Sequence, residues 1–205
     1  NGKMGNALNV VDNGDPLPVA TYIESGSTPL DLTSAFTIAA WVNTSNNAVT
    51  NQAIVSKQVW WNSQNGYRFC LNDGSNGGKG LDLVYGYSGN YRYVFSKQVT
   101  FENNRWYHVA VVFNGGDINF FIDGNVTDVN KGNPTPVVAN DGNFNIGAGY
   151  SNYHLFNGKI DEVMVFNAAL TPQDMNALYQ RGMRKYGLSR SVGTTGTFIP
   201  VGGIY

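Results

Sequence analysis

The chain has 205 residues, of which 42% are hydrophobic and 13% aromatic, with 13 Lys and Arg set against 14 Asp and Glu for a net charge of −1. That length suits one large domain with a sizeable core and leaves little room for a second. The near-neutral balance excludes the basic field that draws nucleic acid or anionic lipid, and no apolar run is long enough for membrane insertion.

The first segment with chemical character is Asp12-Asn13-Gly14-Asp15, a source of hard oxygen ligands of the kind calcium takes. From about residue 20 to residue 166, short β-rich runs alternate with Gly, Asn and Asp clusters, the pattern of an all-β sandwich or barrel. Strands are expected near 21–24, 36–43, 53–57, 67–72, 81–85, 91–96, 106–113, 117–122, 125–129, 143–147 and 158–166. In the second of these, Phe36, Ile38, Ala40 and Val42 alternate with Thr37, Ala39, Trp41 and Asn43. The first set should face the core, and Trp41 the opposite side of its sheet.

Trp60 and Trp61 follow the 53–57 strand in a stretch rich in Asn, Gln and Ser, where burying both indoles is difficult. Cys70 is the single cysteine, so no intramolecular disulfide can form, and its place inside YRFCL reads as a buried core thiol. Tyr85, Tyr87, Tyr91 and Tyr93 surround the turn Ser88-Gly89-Asn90, with Arg92 among them. Asn114-Gly115-Gly116 and Asp123-Gly124-Asn125 are tight-turn sequences between apolar runs, making 106–129 a three-strand meander. Tyr150, Tyr153 and His154 occupy the loop before the last core strand.

Asp161 and Glu162 are consecutive on that strand and should point to opposite faces. Thr171-Pro172-Gln173-Asp174 then supplies a capping hydroxyl, a proline for the first helical position and an acid for the first turn. Met175, Leu178, Tyr179 and Met183 continue at helical spacing, interrupted by Gly182, so one short C-terminal helix is expected. After Leu188 no periodicity persists, which divides the chain into a domain at 1–187 and a tail at 188–205.

Four segments, GKMGNALNV, STPLDLTSAFTIAAWV, RWYHVAVVFNGGDINFFIDG and FNGKIDEVMVFNAALTPQDMNALY, resemble in order and spacing the laminin G-like jelly rolls of the concanavalin A-like lectin and glucanase superfamily. The resemblance implies a two-sheet antiparallel jelly-roll sandwich. It leaves activity open, because lectins, adhesins, glycoside hydrolases and polysaccharide lyases share that fold. Laminarinase-like members carry an E-x-D-x-x-E pattern, and none of the three glutamates here, Glu24, Glu102 and Glu162, begins one. By residue type a lyase could draw on His108, Tyr91, Arg92 and Arg68, but the resemblance implies that His108 is a structural strand histidine. No catalytic residue is assigned.

Glycan binding is therefore the leading expectation. Aromatic faces stack on pyranose C–H faces while amides and arginines read the hydroxyls, and the candidates are Trp60, Trp61, Tyr85, Tyr87, Tyr91, Arg92, Tyr150, Tyr153 and His154. The resemblance also brings the GKIDEV strand beside the N-terminal segment, so Asp161 is expected to join Asp12 and Asp15 around a calcium ion. An extracellular or surface-displayed setting, including a virion surface, follows from that reading. The alternatives are a structural or adhesive component of a larger assembly, such as a virion, phage fibre or surface layer, docking other chains through its C-terminal tail, and a polysaccharide lyase.

Overall fold

A computed structural model describes residues 8–10, 23–25, 30–58, 65–131, 136–150 and 153–184. Among these residues the chain forms β1 (Leu8–Val10), β2 (Ile23–Ser25), β3 (Ala35–Thr44), β4 (Gln52–Lys57), β5 (Tyr67–Leu71) and β6 (Leu81–Tyr87). There follow β7 (Asn90–Phe95), β8 (Tyr107–Asn114), β9 (Asp117–Ile122), β10 (Asn125–Lys131), β11 (Phe144–Ile146), β12 (Gly158–Phe166) and the helix α1 (Pro172–Arg184). The first sheet runs β1-β12-β3-β8-β9-β10 and the second β2-β11-β4-β5-β6-β7. This is the expected antiparallel jelly-roll sandwich. All the expected strands are present, and β1, three residues long, is too short for alternation to announce it.

The core lies between the sheets. Phe36, Ile38, Ala40 and Val42 of β3 and Val109, Val111 and Phe113 of β8 meet Tyr67, Phe69 and Leu71 of β5 and Leu81, Leu83 and Tyr85 of β6. The hairpins form where the glycines predict: Asp123 and Gly124 both take positive φ between β9 and β10, as do Ser88 and Gly89 between β6 and β7.

Part of the outer face of the first sheet is covered by α1. Ala39, Ala110, Val112 and Phe121 pack against Met175. Beside them the Trp41 ring lies 5.4 Å from His108 and 5.7 Å from Tyr179, centroid to centroid. The helix begins on a reciprocal cap in which Asp174 N donates to Thr171 Oγ1 at 3.2 Å and Thr171 N donates to Asp174 Oδ2 at 2.9 Å.

Strict alternation fails at Asp161 and Glu162. A bulge interrupts the β12–β3 pairing between Asp161 and Met164, and Glu162 takes a positive φ of 48°. The two side chains are therefore not on the simply opposed faces that an unbroken strand would give.

Candidate functional site

Because Tyr67, Phe69 and Leu71 of β5 and Leu81, Leu83 and Tyr85 of β6 turn inward, the period-2 rule sends Arg68, Cys70, Asp82 and Val84 to the outer face of the second sheet. Pairing carries one rung of that face across five strands, through Asn145, Ser56, Arg68, Val84 and Tyr93. Arg68 is only 2% exposed despite facing outward.

Above it lies a cavity of about 370 Å³ whose lining includes Asn51, Arg68, Asp73, Tyr93, Tyr150 and His154. Two loops build its rim. Asp73 caps the short turn Gly74–Asn76, its Oδ1 accepting from Ser75 N at 2.7 Å. On the other side, Gly149 N donates to Tyr153 O at 2.7 Å and Ala53 N to His154 O at 2.9 Å, pinning the loop that carries Tyr150 and His154 to the sheet. Tyr150 stacks on Tyr153 with ring centroids 5.4 Å apart and lies 5.7 Å from His154.

Arg68, which lines the cavity, and Asp82, buried on the same outer face of the sheet, are incompletely paired. Arg68 Nη2 stands 4.0 Å from Asp73 Oδ2, while Arg68 Nε and Nη1 and both oxygens of Asp82 have no hydrogen-bond partner among the described residues. Burial pushes the Asp82 pKa up to about 8 against the pull of Arg68, and burial aided by Arg68 lowers that of His154 to about 4. Burial likewise pushes the Cys70 thiol well up, so it is inert. Among the described lining residues Arg68 is the one Lys or Arg and Asp73 the one Asp or Glu, and the burial-driven shifts favour the uncharged forms of His154 and of Asp82 nearby. A second hollow of about 470 Å³, lined by Asp31, Asn65, Ala139, Asn140 and Asp141, differs in that its neighbouring cation is already engaged: Lys57 Nζ lies 2.8 Å from Asp31 and donates to Asn140 O at 2.6 Å.

The sequence model described as the concanavalin A-like lectin/glucanases superfamily matches residues 18–176. The chain belongs to that superfamily. Among solved structures, this superfamily domain is similar to domain 4 of AbnA, an extracellular arabinanase from Geobacillus stearothermophilus, in complex with arabinotriose, with a TM-score of 0.60 and 16% identity over 84% of this chain and 93% of that one. It is also similar to a carbohydrate-binding protein, so described provisionally, from Bacteroides ovatus, with a TM-score of 0.56 and 22% identity over 83% of this chain and 45% of that one. The binding domain of botulinum neurotoxin serotype G gives a TM-score of 0.60 and 15% identity over 85% of this chain and 42% of that one. At these identities the likeness carries the fold. No curated protein sequence matches the chain.

Within the superfamily fold, the residues expected to bind glycan are dispersed. Tyr150 and His154 line the cavity, and Tyr153, 62% exposed, backs Tyr150. Tyr91, 40% exposed, lies on the same outer face one alternation beyond Tyr93, with its ring 5.6 Å from that of Tyr93.

Tyr85 is a correction. It is 1% exposed and edge-on to Phe113 in the inter-sheet core, where no glycan can reach it. Tyr87 is half-buried and packs against that core, and Arg92, also half-buried, is paired with Tyr85 and falls by alternation on the side of β7 that carries Val94 rather than the side of Tyr93, so neither lines the cavity above Arg68. Trp60, Trp61, Asp12, Asp15 and the 188–205 tail lie outside the described residues. Asp161, the remaining calcium candidate, sits in β12 opposite Trp41, and among the described residues no group of three His, Cys, Asp or Glu could hold a metal. Asn51 and Asp73 were not expected from sequence, and Arg68 was singled out only by residue type.

Proposed function

We propose that the chain is a non-catalytic glycan-binding module and that its ligand seats in the cavity above Arg68. The observation that carries this reading is an arginine that is nearly fully buried, with Nε and Nη1 lacking a hydrogen-bond partner among the described residues, lining one cavity with Tyr93, Tyr150 and the carboxyl group of Asp73. A sugar ring presents the complement: an apolar face for the phenol rings and hydroxyls for the guanidinium and carboxylate. The reading is supported by family membership and by a similar solved domain described in complex with arabinotriose. A module of this kind meets its polymer outside the cell or on a surface, which is the setting we propose for it.

A glycan array identifies the ligand, and calorimetry on variants locates the site. Tyr150→Ala and Tyr93→Ala are each expected to weaken binding by about 1–3 kcal/mol, the range of a lost stacking contact. If both retain wild-type affinity while Trp60→Ala and Trp61→Ala lose it, the ligand is held by the 59–64 segment instead. If no glycan binds, the proposal fails.

A further inference from the structure

Arg68 and Asp73 reach the same cavity from the two ends of β5, the arginine as the strand's second residue and the aspartate from the turn that follows it. Their facing atoms are 4.0 Å apart. A direct N–H···O hydrogen bond spans roughly 2.7–3.2 Å, so cation and anion confront each other without closing. Asp73 is held back, because its other oxygen is committed to Ser75 N at 2.7 Å. Arg68 lies over the sheet, and its Nε and Nη1 have no hydrogen-bond partner among the described residues.

One oxygen that both accepts and donates completes such a pair. A hydroxyl does so, accepting from Arg68 Nη2 and donating its proton to Asp73 Oδ2. A carboxylate has no proton to give and would meet the Asp73 charge in the same place. Among the described lining residues Arg68 is the one cation and Asp73 the one carboxylate, so the cavity has no surplus positive charge for an acidic ligand. Resting on the glycan reading above, we infer that this site selects a neutral sugar, one hydroxyl of which bridges Arg68 and Asp73, and that it discriminates against uronic acids.

The test uses the full chain and matched oligosaccharides that differ at C6: glucose with glucuronate, galactose with galacturonate and mannose with mannuronate, together with arabinotriose, titrated by calorimetry at pH 7. The neutral member of any pair that binds should be at least tenfold tighter. Asp73→Asn keeps an oxygen for Ser75 N but loses the acceptor for the bridging proton, and should weaken neutral binding tenfold or more with little change in melting temperature. A uronate that binds as tightly as its neutral partner, or an Asp73→Asn variant that keeps its neutral affinity, overturns the inference and leaves the glycan reading standing. Should that variant not fold, the wild-type preference decides alone. Absence of binding by every oligosaccharide, together with a blank glycan array, overturns the glycan reading and the inference with it.

Discussion

His108 and Asp82 are both fully buried, on opposite sheets, and burial holds each of them neutral by moving its pKa in a different direction. The His108 pKa is lowered to about 4, so between that value and its ordinary 6.5 the unfolded chain binds a proton that the folded chain refuses. Its stabilising contribution is whole above pH 6.5 and drains away as pH falls towards 4, by about 3 kcal/mol at 1.36 kcal/mol per pKa unit. Urea titrations should show this slope, and because the chain has two histidines, it should persist in His154→Asn, which leaves His108 alone. Asp82 behaves in the reverse sense. Its folded pKa near 8 lies above the ordinary carboxylate value, so stability present at low pH is lost as pH rises through 8. Asp82→Asn should therefore gain stability over the parent increasingly from pH 4 to pH 8, read as a higher urea midpoint.

Residue by residue, the site was partly legible. Tyr150 and His154 were visible as aromatic groups in a loop before a core strand. Arg68 and Asp82 could have been found by alternation, since YRFCL and LDLVY each place a charge on the face opposite three inward apolar residues. Tyr85 was misread because proximity to a turn says nothing about facing: in β6 it shares the inward phase of Leu81 and Leu83. Asp73 carried no sequence signal beyond turn composition, and its approach to Arg68 depends on how the β5–β6 loop folds over.

Many element boundaries were readable because turn residues and period-2 runs agree along much of β3 to β12, the bulge at Asp161 excepted, whereas the close fit of α1 on the first sheet was not. Gly182 reads in sequence as an interruption of the apolar stripe. In the fold it is the point of closest approach, where an added Cβ would lie 2.5 Å from Trp41 Nε1. Gly182→Ala should thus push the helix off its seat and cost about 1–3 kcal/mol, as overpacking does, despite the better helix propensity of alanine. A lower melting temperature with an altered near-ultraviolet signal from Trp41 would register it. Thr171→Ala removes one half of the reciprocal cap and should cost about 1 kcal/mol without disturbing that signal.

At the scale of the molecule, every described core residue lies between Leu32 and Tyr179, inside the 1–187 segment. A chain ending at residue 187 should consequently fold with a cooperative melt; failure to fold would make the tail an integral part of the sandwich. The calcium proposal is also tested on the whole chain. A cation held by Asp12, Asp15 and Asp161 in the folded state alone would raise the melting temperature by mass action and lose that effect on chelation, and an indifferent melt would dismiss it.

With α1 seated on part of one sheet and the cavity above Arg68 on the other, the proposed glycan site would give each copy of the domain one point of attachment. On that proposal, grip on a repetitive glycan surface would come from number. Two such domains joined by a linker that spans neighbouring sites would gain on the order of 10²–10⁴ in avidity with no new contact, so repetition in one protein or clustering on one surface would strengthen attachment without any change to the pocket.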